Sequence, residues 1–87
     1  MSKLIMFYGS ECVHCHKMFT FVDKLEDEFK VKVERLEVWH NSANRNEMDK
    51  VNTMKCTGVP LFYNSKTKKG ICGAVSYAAL KKWVRQK

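Results

Sequence analysis

The feature that most constrains the fold is an abrupt change of period near the start of the chain. Lys3 to Tyr8 is a short, almost continuous apolar run closed by Gly9-Ser10. A run of that length with turn residues behind it fits a buried strand. From Cys12 onward Cys15, Met18, Phe19, Val22, Leu25 and Phe29 recur at helical spacing, with Asp23, Lys24, Asp27 and Glu28 between them. That pattern predicts a helix of about four to five turns. A strand that passes at once into an amphipathic helix begins an α/β arrangement. Two cysteines occupy the helix start, as Cys12-Val13-His14-Cys15.

Val33 to Trp39 alternates in part, Leu36 and Val38 bracketing Glu37, and predicts a second strand. Asn41 to Asn44 offers turn and cap chemistry, with Asn44 and Glu47 spaced as a capping box. Met48, Val51 and Met54 then give the core stripe of a short helix, broken by Thr57-Gly58-Val59-Pro60. Leu61 to Tyr63 reads as a third strand, Asn64 to Gly70 as a polar turn, and Lys69 to Cys72 as a fourth strand stopped by Gly73. Ser76 caps a last helix with Tyr77, Leu80, Trp83 and Val84 on its apolar face. The order is β-α-β-α-β-β-α. No repeat, low-complexity tract or linker divides it, so residues 1–87 are expected to form one domain.

Charge narrows the partners. The net charge of +7 is concentrated in the second half, with Lys66, Lys68 and Lys69 in one cluster and Lys81, Lys82, Arg85 and Lys87 in another. No nucleic-acid motif or aromatic stacking platform accompanies these lysines, so a solubilising surface is expected, with neither nucleic acid nor membrane as partner. No apolar run approaches the ~20 residues of a membrane span. The first residues lack a secretory pattern, and a cytoplasmic location is expected. Four cysteines in that setting point to catalysis or metal rather than a disulfide framework. Cys56 and Cys72 stand alone and read as small buried hydrophobes, with Cys72, beside Gly73, nearer the chemistry.

Three segments together resemble the thioredoxin superfamily. They are Ile5-Met-Phe-Tyr-Gly-Ser-Glu-Cys12-Val-His-Cys15, then Gly58-Val59-Pro60 before a strand, then Gly73-Ala-Val-Ser76 opening a helix with Leu80 and Val84. The resemblance implies a minimal thioredoxin-like fold: a four-stranded mixed sheet in the order of strands two, one, three, four, with helices on both faces. It implies a thiol–disulfide oxidoreductase serving cell redox homeostasis and electron transport, with Cys12 as nucleophile and Cys15 as resolving thiol. It implies a cis Val59–Pro60 bond presenting the Val59 backbone to a substrate, with Gly73 alongside. The redox-active disulfide needs no bound cofactor and no metal. Expected partners are protein disulfides and a reductase, the protein acting as a monomer.

The departures from the family pattern shape the details. Glu11 precedes Cys12, Val13-His14 separates the cysteines, Tyr8 stands where a Trp is common, and Met6 stands where thioredoxins bury an Asp. The Cys-Pro-Tyr-Cys and the Gly-Gly-acid segment of glutaredoxins are absent. Gly73-Ala-Val-Ser76 therefore favours electrons from thioredoxin reductase and NADPH over a glutathione-linked, glutaredoxin-like cycle.

Exchange needs a thiolate, and a helix start offers unpaired N–H groups and the positive end of the dipole to Cys12. His14, with His16 and Lys17, adds favourable charge, and Glu11 opposes it. The competing readings use the same residues differently. One is a zinc or iron–sulfur site built from Cys12 and Cys15 with His14, His16, Cys56 or Cys72. The other is a non-catalytic interaction module on the same fold.

Overall fold

The computed structural model describes residues 4–52, 56 and 58–85. Its elements are β1 (Leu4–Tyr8), α1 (Val13–Phe29), β2 (Val33–Glu37), α2 (Ser42–Val51), β3 (Leu61–Asn64), β4 (Lys69–Cys72) and α3 (Tyr77–Arg85). The strands form one sheet in the order β2-β1-β3-β4. β1 runs parallel to β2 and antiparallel to β3, and β4 is antiparallel to β3. The element order is the one the sequence predicts, and the sheet order the one the resemblance implies.

A continuous apolar β1 follows from its central place. Met6 points to one face and Phe7 to the other, so neither face tolerates a polar residue. On the Met6 side, Cys15, Met18, Val22 and Leu25 of α1 meet Phe62 of β3 and Leu80 and Trp83 of α3. On the Phe7 side, Val38, Leu61 and Met48 of α2 close a smaller cluster. Met48 is buried and Val51 half-buried, while Met54 of the expected stripe, like Thr57 and Lys87, lies outside the described residues.

Two boundaries differ from expectation. β2 stops at Glu37, because the Glu37 carboxylate accepts the N–H groups of Trp39 (3.1 Å) and His40 (2.7 Å) and bends the chain there. The cap of α2 is Asn41, whose Oδ1 accepts the Asn44 N–H at 3.0 Å. Asn44 lies inside the helix and donates its Nδ2 to the Glu37 carbonyl (3.0 Å), while Glu47 pairs with Lys50. An asparagine one turn earlier serves the same orphan N–H groups, so the expected capping box does not form.

The far end of the sheet is organised by Asn64, the buried polar residue at the end of β3. Its Nδ2 donates to the Trp83 carbonyl (3.1 Å) and its Oδ1 accepts the Lys66 N–H (2.9 Å). The tight turn to β4 and the last turn of α3 therefore meet at one point. Lys66, Lys68 and Lys69, with Lys82 and Arg85, gather at this end, opposite the start of β3 at Pro60. Among the described residues no helix is long and apolar enough to cross a membrane.

Candidate active site

The loop between β1 and α1 places Cys12. Its N–H donates to the Gly9 carbonyl (3.0 Å), closing a turn, and its carbonyl accepts the His16 N–H (3.1 Å) as the first helical bond. Cys12 is thus the helix cap and not a residue of the first turn: its backbone is extended, and its Sγ accepts the Cys15 N–H at 3.2 Å. A sulfur in the capping position receives the hydrogen bond that a serine or aspartate oxygen usually takes. Cys12 Sγ also lies 3.8 Å from the Val59 carbonyl oxygen.

Cys15 sits one turn on, fully buried among Met6, Met18 and Val22, and both cysteines are free thiols. Burial, reinforced by the contact with Cys12, pushes the Cys15 thiol up to about 12. Met6 belongs to the same buried cluster as the pair, and its thioether offers no carboxylate to accept a proton.

The Val59–Pro60 bond is cis, as the resemblance implies. Gly73, at φ +92, donates its N–H to the Pro60 carbonyl at 2.8 Å, so the end of β4 is fastened to the proline loop. Val59, Pro60 and Gly73 are thereby brought to the same end of the sheet as Cys12. Tyr8 is only half-buried and turns to Phe19, ring to ring at 5.0 Å. His14 and Val13 are exposed at the helix start. The His16 ring donates from Nε2 to the Ser10 carbonyl (2.6 Å), which braces the same loop.

Three further residues at this end were not singled out as a unit by sequence. Glu37 accepts the Ser10 N–H (2.9 Å) as well as those of Trp39 and His40, so one carboxylate ties the end of β2 to the loop before Cys12. Partial burial opposes its charge, but the three N–H groups prevail and hold it below the usual carboxylate range. Trp39, half exposed, lays its ring against Gly9, where a Cβ would overlap it. His40 meets both Glu11 oxygens from its Nε2 at 2.6 and 2.8 Å. The signal for this pairing was topological: β2 runs parallel to β1, so the segments leaving the two strands emerge side by side.

This ion pair has a titration signature. The hydrogen bond to Glu11 and its charge raise His40 above 6.5, and the same contact lowers Glu11 below 4.5. The raised histidine favours the fold below pH 6.5 and loses that contribution as pH rises through its folded value. The lowered carboxylate contributes above pH 4.5 and loses its share as pH falls through its own folded value. Between the two folded values the Glu11–His40 pair is fully charged. We expect an NMR titration to place His40 above 6.5 and Glu11→Gln to return it toward that value. A wild-type His40 titrating at or below 6.5 would contradict the pairing.

Cys56 and Cys72 overturn their expectation as separate small hydrophobes: they are joined to each other by a disulfide. The antiparallel β3–β4 register sets Cys72 opposite Leu61, five residues beyond Cys56, a proximity invisible in their linear spacing. Neither is then available to a metal shared with Cys12 and Cys15. Among the described residues no group of three or more His, Cys, Asp or Glu side chains converges as a metal cluster.

The sequence model of the thioredoxin family matches residues 1–86. A comparison with curated proteins finds no match. Among solved structures, the chain is similar to a glutaredoxin from Archaeoglobus fulgidus, with a TM-score of 0.71 at 20% identity, over 99% of this chain and 89% of that one. At that identity the likeness is one of fold.

Proposed function

The chain belongs to the thioredoxin family, a family of thiol–disulfide oxidoreductases, and from that premise we propose that Cys12 and Cys15 exchange a dithiol for the disulfides of protein substrates. The observation that carries this is the asymmetry of the two sulfurs. Both are buried, but Cys12, 6% exposed, caps a helix beside the Val59 carbonyl, whereas Cys15 is 0% exposed with its thiol held protonated.

In this reading the Cys12 thiolate attacks one sulfur of the substrate disulfide. A Cys12–substrate bond forms, the substrate bond breaks, and the departing sulfur takes a proton. Cys15 then gives up its proton and displaces the substrate from Cys12, closing the Cys12–Cys15 disulfide. Two electrons and two protons pass to the substrate. The fully buried Cys15 does not compete in the first step, and the mixed disulfide brings its partner sulfur within one helical turn. The Val59 backbone and Gly73 form the rim against which an extended substrate segment rests. Glu11 and His14 flank the attacking sulfur as charge modifiers, with Tyr8 buttressing the strand behind it.

We favour thioredoxin reductase with NADPH over glutathione as electron donor, on the Gly73-Ala-Val-Ser76 segment and the lack of a Gly-Gly-acid segment. The test is to mix the reduced protein with insulin, quench with acid and map disulfides by mass spectrometry. One Cys12–Cys15 disulfide is expected for each insulin disulfide opened. Insulin left intact, or opened while Cys12 and Cys15 stay reduced, would reject the proposal. Supplying each donor system in turn then decides between them by NADPH consumption.

A further inference from the structure

The Cys56–Cys72 disulfide occupies a particular place. Cys72 ends β4, immediately before the Gly73 whose N–H bonds the Pro60 carbonyl at 2.8 Å. Cys56 lies four residues before Pro60, with its backbone clasped by Asn52: the Cys56 N–H donates to Oδ1 (2.8 Å) and its carbonyl accepts from Nδ2 (2.7 Å). The disulfide, 5.7 Å between Cα atoms, therefore straps the chain entering Val59-Pro60 to the strand end beside Gly73. Cys72 is exposed and Cys56 half-buried, so external thiols have a sulfur to reach. Exposure is what makes a disulfide open to exchange with external thiols.

We propose that Cys56–Cys72 is a second redox site, exchanged with dithiols at Cys72 Sγ, and that its state sets how firmly the Val59 rim holds a polypeptide. The second half rests on the exchange reaction proposed for Cys12, and the first half does not. The thiolate of a dithiol, small or carried by a protein, attacks Cys72 Sγ. A mixed disulfide forms at Cys72, the Cys56–Cys72 bond breaks, and the electron pair leaves on Cys56. Cys56 takes a proton, and the Gly58 carbonyl, 3.3 Å from its sulfur, accepts the new S–H. The second thiolate of the dithiol then displaces Cys72, which is protonated in turn. Two electrons and two protons enter the protein, and the dithiol leaves as a disulfide. Opening the bond leaves the Asn52 clasp and the Gly73–Pro60 hydrogen bond to hold the rim. A small disulfide needs only Cys12, while a polypeptide leans on the rim as well.

The first arm of the test uses C12S/C15S, which retains only this disulfide. Under native conditions, millimolar dithiothreitol followed by alkylation and mass spectrometry is expected to label both Cys56 and Cys72. Glutathione disulfide is expected to modify C12S/C15S/C56S at Cys72. A bond that opens only in denaturant, or no adduct at Cys72, overturns the exchange. Hydrogen exchange on the same C12S/C15S protein reads the rim without altering Cys56 or Cys72: protection of the Gly73 N–H is expected to fall when the bond is opened. Unchanged protection overturns the second half.

The second arm compares C56S/C72S with wild type at a temperature where circular dichroism shows both folded. KM for insulin should rise about two- to tenfold, the range expected from losing the net worth of one hydrogen bond, with turnover of 2-hydroxyethyl disulfide unchanged. Equal change with both substrates, or with neither, also overturns the second half. A wild type that never reduces insulin would reject the reading of Cys12 and with it the second half, while the first arm still decides whether Cys72 exchanges.

Discussion

Cys12→Ser is expected to lower protein-disulfide reduction by at least about a thousandfold while leaving the fold intact. Serine is among the best helix caps, and its Oγ can take the Cys15 N–H that Cys12 Sγ now accepts at 3.2 Å. What disappears is the nucleophile, since a hydroxyl does not enter thiol–disulfide exchange. Cys15 cannot substitute. It is fully buried, and a thiol at about 12 leaves only roughly one molecule in 10⁵ as thiolate at pH 7. Cys15→Ser should behave differently: the first step proceeds, and the protein accumulates as a mixed disulfide with substrate through Cys12. Stopped assays with insulin and non-reducing electrophoresis separate the two outcomes. A Cys12→Ser protein retaining a tenth of wild-type activity would remove Cys12 from the role proposed for it.

The largest effect on stability is expected at the opposite end of the sheet. Asn64→Leu keeps the branched shape of the side chain but strips partners from the Trp83 carbonyl and the Lys66 N–H. Leaving the Trp83 carbonyl unpaired away from water costs about 1–3 kcal/mol and the Lys66 N–H, on an exposed turn residue, about 1 kcal/mol, so a loss of about 2–4 kcal/mol is expected. At about 4–8 °C per kcal/mol for a domain of this size, melting should fall by about 8–32 °C. Replacing the exposed α2 cap, Asn41→Ala, should cost only about 1 kcal/mol. Thermal melts of the two variants side by side give the comparison. An Asn64→Leu protein melting no lower than Asn41→Ala would show that Asn64 does not organise that end.

Much of this molecule is legible without its fold, because its local signals are consistent with one another. The change of period at Cys12, the Gly73 stop and the apolar face of α3 each depend on residues close in sequence. The features that are not legible depend on pairs that only the sheet brings together. Cys56 and Cys72 become partners once β4 folds back along β3. Glu37, one charge in an otherwise apolar strand end, gives no sign that three N–H groups from two loops converge on it. Asn41 is obscured for a smaller reason, since Asn44 and Glu47 satisfy the same capping pattern one turn later.

Cys12 and Cys15 belong to the apolar cluster that also holds Met6, Val22, Leu80 and Trp83. Closing a bond between them is a change made inside the core, so the melting of the protein and the reduction potential of the pair are legs of one thermodynamic cycle. Should the dithiol form outlast the disulfide form on heating, the core prefers thiols and the pair is the stronger oxidant for it. Each 1.4 kcal/mol between the two forms corresponds to about 30 mV. A calorimeter can therefore weigh the potential, and a substitution at Leu80, on a different helix from either sulfur, becomes a way to retune it with the Cys-Val-His-Cys segment untouched.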